Sequence, residues 1–211
     1  MPIFFQQQIN ETTRLGIWKI EETEEFFKGN VPNHREVTHP HKRLQHLAGR
    51  FLLQYLFPDF PYHLIEIADT RKPFLPNEEY HFSISHCGDY AAAIVSSNKR
   101  VGIDIEIPVE KVRRIMHKFL TSKEHELFNL VAGAESSDTI NSYEEPTILW
   151  SVKEAVFKWY GYGGIDFRKQ IRLLKQNEGE ETVDCLFTVD DSELLIHYRK
   201  FPELVLAWVF N

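Results

Sequence analysis

Apolar positions recur along this 211-residue chain in two rhythms. Over residues 40–57, Leu44, Leu47, Ala48, Phe51, Leu52, Tyr55 and Leu56 follow the i, i+3, i+4, i+7 spacing that lays one apolar stripe along a helix. Pro40 suits the first helical position, Thr38 or His39 can cap it, and Pro58 ends it. A second long helix is predicted to open at Pro146 and stop at Gly161, with shorter helices over 21–28, 112–120 and 122–131. Period-two alternation, or a short wholly apolar run, predicts strands over 16–20, 80–85, 90–97, 102–107, 171–176, 182–190, 193–198 and 205–210. Residues 98–100 read as the turn of a hairpin joining 90–97 to 102–107. Residues 31–38 and 69–73 read as polar connections, and 132–145 as a mobile surface loop. Each half thus offers a helix followed by antiparallel-type strands, which predicts an α+β fold of two related subdomains.

Composition narrows the function. A hydrophobic fraction of 43%, with 16 Phe and 4 Trp, supplies a substantial core. The net charge of −7 argues against nonspecific nucleic-acid binding, so an anionic ligand needs a local basic patch. Cys87 and Cys185 are far apart, which fits neither a zinc site nor a disulfide framework and suggests a reducing, cytoplasmic setting. No basic start followed by an apolar run occupies residues 1–20, and no apolar stretch reaches the roughly 20 residues needed to span a bilayer, so neither a leader nor a membrane span is expected.

The chemistry concentrates in two segments. In Gly102-Ile103-Asp104-Ile105-Glu106, strand alternation puts the isoleucines on one face and both carboxylates on the other. Trp150-Ser151-Val152-Lys153-Glu154-Ala155-Val156-Phe157-Lys158 adds a carboxylate and two lysines on a helix. Asp104, Glu106 and Glu154 form an oxygen-only set suited to Mg²⁺ or Mn²⁺, with lysines at hand for phosphate. Alone, these residues also fit a strand's wet face and an i, i+4 helix pair worth about 0.2–0.5 kcal/mol. His86 at a strand end can bond a phosphate or a base, or play a structural part; a Cys87 nucleophile served by His86 is geometrically poor, because neighbours on a strand face opposite ways.

Together with Ser83-Ile84-Ser85-His86, these segments resemble the three signature blocks of the 4′-phosphopantetheinyl transferases. Block spacing is similar to the surfactin-synthetase type, a single-chain pseudo-dimer. The resemblance covers roughly residues 40–165 and implies two subdomains, 1–107 and 108–211, in pseudo-twofold arrangement. It implies transfer of the phosphopantetheine arm of coenzyme A to a serine of an apo acyl or peptidyl carrier protein, with release of adenosine 3′,5′-bisphosphate. Asp104, Glu106 and Glu154 would bind Mg²⁺, or Mn²⁺, on the pyrophosphate. Lys153 and Lys158 would face the phosphates, Ser85 and His86 the nucleotide, and Lys72 and Pro73 the adenine pocket. Glu154 would activate the serine, directly or through a metal-bound water, with Glu124 a further carboxylate near the site. For the 3′-phosphate, the basic residues at the start of the first long helix suggest Lys42, Arg43 and Arg50.

Two other readings use the same residues: a Mg²⁺-dependent phosphoesterase acting on coenzyme A, and a non-catalytic coenzyme A-binding or scaffold protein. An intact set of Asp104, Glu106, Glu154 and Lys158 argues against the latter. The basic stretch Lys111, Arg113, Arg114, Lys118 and Lys123 is a candidate surface for the acidic carrier. A monomer is expected, since the two halves already supply the pair. The sequence does not indicate which carrier is served.

Overall fold

The computed structural model describes residues 3–31, 37–130 and 141–211. The first half runs β1 (Ile3–Gln8), β2 (Thr13–Lys19), α1 (Glu24–Asn30), α2 (Pro40–Leu56), a ribbon of β3 (Glu66–Ile67) and β4 (Pro73–Phe74), then β5 (His81–Cys87) and β6 (Tyr90–Ser96). The second runs β7 (Val101–Glu106), α3 (Glu110–Phe119), α4 (Ser122–Leu127), α5 (Asn141–Tyr160), α6 (Phe167–Gln170), β8 (Ile171–Asn177), β9 (Thr182–Phe187), β10 (Ser192–Lys200) and β11 (Val205–Phe210). All strand pairs are antiparallel. One main sheet has the order β1-β2-β6-β5 and the other β7-β11-β10-β9-β8.

Strand alternation sorts side chains into three cores. Leu15, Ile17, Ala92 and Ile94 of the first sheet meet Ile103, Ile105, Leu206 and Trp208 of the second. On the first sheet's other face, Ala91, Ala93 and Val95 pack against Leu47, Leu52, Leu53 and Leu56 of α2. On the second sheet's other face, Val205, Ala207 and Val209 pack against Leu149, Val152, Val156 and Trp159 of α5. The layers therefore run helix, sheet, sheet, helix, as the α+β reading requires. Leu47 is wholly buried, and burying such a side chain contributes roughly 1.5–3 kcal/mol. β6 is buried at every position because both its faces are covered, which explains its unbroken apolar run.

Several expectations are corrected. The 98–100 turn does not close a hairpin: β6 already pairs with β2 and β5 along its two edges, so β7 crosses to pair with β11. β7 thus belongs to the second sheet. Helix α5 starts at Asn141 and carries Pro146 inside it, so residues 141–145 are helical rather than loop. The rest of the predicted loop, 132–140, and most of the 31–38 connection lie outside the described residues. Strand β1, rich in glutamine, was not predicted; it pairs only with β2 and borrows its pattern from that neighbour.

Two features bring the elements of the site together. Gly102 of β7 lies directly under α5: a Cβ there would collide with the Ala155 carbonyl and sit 2.6 Å from the Trp159 nitrogen. Only glycine lets this helix press onto this strand. Second, the free edge of β7 meets β5 through side chains: the Ile103 and Ile105 amides donate to Ser83 Oγ and Ser85 Oγ at 3.2 and 3.3 Å. Two buried serines thus satisfy amides that a neighbouring strand would otherwise bond.

Candidate active site

The close approach of α5 to β7 brings the acidic face of the strand against one stripe of the helix. Trp150, Glu154 and Lys158 are spaced four residues apart and so lie one above another on that stripe. Lys158 Nζ donates to Asp104 Oδ1 at 2.7 Å and to Ser85 Oγ at 2.8 Å. Ser85 in turn donates to the same Asp104 oxygen at 2.9 Å. Trp150 Nε1 donates to Glu106 Oε1 at 3.3 Å, and the Cys87 thiol donates to Glu106 Oε2 at 3.4 Å. The half-buried Glu154 lies on the turn between Trp150 and Lys158.

The electrostatics follow from this crowding. Burial first, and then the Asp104 charge, push Glu154 up to about 7, against the pull of Lys158. Glu106 is raised by the same two causes in the same order. The His86 imidazole is held below its ordinary value by partial enclosure, then by Lys158 and Lys42 nearby. Cys87 is pushed up to about 11 by burial and by Glu106, which keeps it a thiol and rules out an activated nucleophile.

Among the described residues, no three His, Cys, Asp or Glu side chains are drawn together tightly enough to hold an ion as they stand. Asp104 Oδ1 is turned instead toward Lys158 and Ser85, and the Glu106 oxygens toward Trp150 and Cys87. The set still fits a hard divalent cation. Asp104 Oδ2 is buried without a hydrogen-bond partner, and the raised Glu106 and Glu154 mark negative charge that a cation would relieve.

The remaining expected site residues divide. Lys72, in the turn between β3 and β4, donates to the Lys158 carbonyl at 2.6 Å, and Thr70 donates to the Gly161 carbonyl at 3.1 Å. The first half of the chain thus caps the C-terminal end of α5. A cavity of about 440 Å³ opens here, lined among others by Lys72, Pro73, Phe82, Ile84, Lys158 and Tyr162. A second, of about 480 Å³, shares the Lys72 wall and reaches Arg100. Ser85, His86, Lys72, Pro73 and Lys158 therefore gather on one side of the molecule. Lys42 faces the same way, close enough to bear on His86, while Gln45 Nε2 one turn on donates to the Gly88 carbonyl at 2.7 Å.

Four of the expected site residues have partners elsewhere. Arg43 turns to α1, where it meets Glu24 at 2.8 Å, and also donates to the Val37 carbonyl at 2.7 Å. Arg50, one heptad on along α2, is buried at 6% exposure beside Tyr62, whose hydroxyl bonds the Arg50 carbonyl. The structure brings neither to His86. Lys153 has no exposed surface. Its three donors are taken by Glu124 at 2.7 Å, the Phe119 carbonyl at 2.8 Å and the Phe167 carbonyl at 3.1 Å, so it cannot face a phosphate. Glu124 is equally committed: it accepts from Lys153, the Leu173 amide at 3.0 Å, and the amide and hydroxyl of Thr121 at 2.7 and 2.9 Å in a capping box, leaving it no lone pair aimed at a substrate. Sequence reasoning missed Trp150, Ser83, Gly102 and Thr70. For Trp150 a signal existed: it precedes Glu154 by one helical turn.

Comparison with known proteins agrees with this arrangement. The model of the 4′-phosphopantetheinyl transferase superfamily matches residues 100–209, the stretch that carries β7 and α5. Enterobactin synthase component D of Escherichia coli (strain K12) is 33% identical over 133 residues, covering 61% of this chain and 60% of that protein. A putative 4′-phosphopantetheinyl transferase of Haemophilus influenzae is 29% identical over 47% of this chain and 41% of its own length. The L-aminoadipate-semialdehyde dehydrogenase-phosphopantetheinyl transferase of Xenopus laevis is 29% identical over 56% and 43%. The chain therefore spans at most 60% of the length of these relatives. With the superfamily match covering more than half of its 211 residues and centred on the strand and helix that build the site, this chain belongs to the 4′-phosphopantetheinyl transferase superfamily.

Proposed function

We propose that this protein transfers the 4′-phosphopantetheine arm of coenzyme A to a serine hydroxyl of an apo carrier protein. The observation that carries the proposal is the cluster of Asp104, Glu106, Glu154 and Lys158, with a buried, unpartnered Asp104 oxygen, beside a cavity lined by Lys72 and Lys158. In the reaction the serine Oγ forms a bond to the pantetheine-side phosphorus of the pyrophosphate. The bridging P–O bond breaks, and its electron pair leaves with adenosine 3′,5′-bisphosphate. Glu154, on the helix stripe between Trp150 and Lys158, is the carboxylate assigned to take the serine proton, directly or through a water. Lys158, held in place by Asp104 and Ser85, presents its ammonium where charge develops on the phosphate oxygens. Asp104, Glu106 and Glu154 would hold Mg²⁺ or Mn²⁺, which when bound supplies positive charge to the pyrophosphate. Ser85 and His86 bind the nucleotide side.

The direct test is to incubate the protein with coenzyme A, Mg²⁺ and an apo carrier protein and weigh the carrier. A gain of one phosphopantetheine arm is the expected result. Breakdown of coenzyme A with no gain on any carrier would instead identify an esterase.

Lys72 gives the reaction a pH signature. Burial, then the charge of Arg100, push its pKa down to about 8. A base binds an anion only in its protonated form. Affinity for coenzyme A is therefore level below about pH 8 and falls above it as Lys72 loses its proton. A Kd profile taken across pH 6.5 to 9.5 should break near 8. In Lys72→Arg, whose charge persists, that break should vanish; a break retained in the variant excludes Lys72.

For carrier docking the exposed face of α3 is the proposed surface. Lys111, Arg114, His117 and Lys118 form the exposed face of α3, while Val112 and Phe119 point into the core. Arg114 pairs with Glu110 at 2.7 Å, but both side chains are more than half exposed, so the pair adds little. An acidic carrier helix is proposed to lie along this face. Arg114→Glu combined with Lys118→Glu should raise the KM for the carrier by about ten-fold and leave that for coenzyme A unchanged. An unaltered carrier KM would remove α3 from the interface.

A further inference from the structure

The segment after α5 contains an aromatic side chain that neither the fold nor the chemistry above requires. Tyr162 is 68% exposed, the highest value among the exposed large hydrophobic side chains of the described residues. It is set between Gly161, Gly163 and Gly164, all at positive φ, in a backbone path that other residues rarely follow. A Cβ at Gly161 would strike Lys72, and one at Gly163 would press on Thr70, so the loop is held tightly against the β3–β4 turn. Gly164 meets nothing, so the loop is open on its far side. The ring itself is oriented: the Arg100 guanidinium lies 5.8 Å from its centroid and Tyr160 meets it edge-on at 5.2 Å. Arg100 also lies over Trp159, 5.3 Å from that ring, which anchors the guanidinium to α5.

Tyr162 lines the 440 Å³ cavity together with Pro73, Phe82 and Ile84. A lining that combines an aromatic ring and apolar side chains with Arg71, Lys72 and Lys158 suits a planar ring joined to an anionic group. An aliphatic chain would fill the volume but would not use the aromatic face. We infer that Tyr162 is a base-stacking residue that covers the adenine ring of coenzyme A, with Arg100 as the positioning residue behind it. This inference rests on the proposed coenzyme A-dependent transfer and adds the specificity element at the nucleotide end.

The test is equilibrium binding of adenosine 3′,5′-bisphosphate and, separately, of 4′-phosphopantetheine, which lacks the base, to the full chain and its variants. Stacking on an aromatic side chain predicts that Tyr162→Ala weakens nucleotide binding by about ten-fold and leaves 4′-phosphopantetheine unchanged. Tyr162→Phe, which keeps the ring, should bind the nucleotide like the parent. In turnover, Tyr162→Ala should raise the KM for coenzyme A with kcat preserved, because the reacting phosphorus is remote from the base. Thermal melting of each variant confirms that the exposed site has not altered the fold. Equal losses for both ligands, or no loss for the nucleotide, overturn the inference. A parent protein that binds neither ligand overturns the transferase reading, and the inference falls with it.

Discussion

Asp104→Ala is expected to lower kcat/KM for transfer by about 10³-fold or more while leaving a folded protein. The carboxylate holds three things at once. Its Oδ1 fixes Lys158 Nζ and Ser85 Oγ, its Oδ2 is the unpartnered atom best suited to a cation, and its charge raises Glu154 toward neutrality. Removing it frees the Lys158 ammonium, leaving only the Ser85 bond at 2.8 Å, and lets the Glu154 pKa fall, so the base weakens as the electrophile loses support. Stability should change little, because the lost hydrogen bonds are offset by relief of like charge on Glu106 and Glu154. Asp104→Asn sharpens the result: it keeps the volume and an acceptor but removes the charge, and it too should be inactive. The readouts are carrier mass gain over time and a thermal melt. An alanine variant with parental turnover would remove Asp104 from the mechanism.

The largest effect on stability is expected from Lys153→Met, at about 3–5 kcal/mol of unfolding free energy. The Lys153–Glu124 pair spans 2.7 Å with side-chain exposures of 0% and 5%. Burial alone depresses the Lys153 pKa, and Glu124 restores part of it. Two charges in such a place are tolerated because every donor and acceptor is occupied. Removing the ammonium leaves a carboxylate buried beside Leu173 and Thr121 with its charge uncompensated. The double variant Lys153→Met with Glu124→Gln should recover part of the loss, since it removes both charges and its amide oxygen can still accept from one of the Thr121 and Leu173 amides. Urea midpoints measure both. For the molecules that remain folded, the KM for coenzyme A should be unchanged; a large rise would return Lys153 to the phosphate site.

These two lysines show what was legible in the sequence. Residues 153 and 158 share a motif and a helix, and the sequence motif treats them alike. The helix separates them: Lys158 shares a stripe with Glu154 and faces β7, whereas Lys153 points under α4 and α6. Periodicity could place Asp104 and Glu106 on one strand face, since a period of two leaves no ambiguity, and the structure agrees. It could not show that the strand's partner is β11, nearly a hundred residues away, because pairing depends on which edges remain free. Arg43 and Arg50 show a related limit: their place on α2 was visible, but not that Arg43 would pair with Glu24 and Arg50 be buried beside Tyr62. The seam serines were legible only as part of a recognised block; their bonds to β7 amides follow from the meeting of two sheets.

That seam has a further consequence. Every strand of the first sheet comes from residues 3–96 and every strand of the second from 101–211, with its own helix on each. The site draws Lys72 and Ser85 from one side of this divide and Asp104, Glu154 and Lys158 from the other. A chain cut in the turn between β6 and β7 would therefore yield two pieces with no active site apiece, and turnover would appear only on their reunion. The site thus depends on both halves at once, and under the proposed transfer a coenzyme A molecule that touches residues of both would act as the clasp.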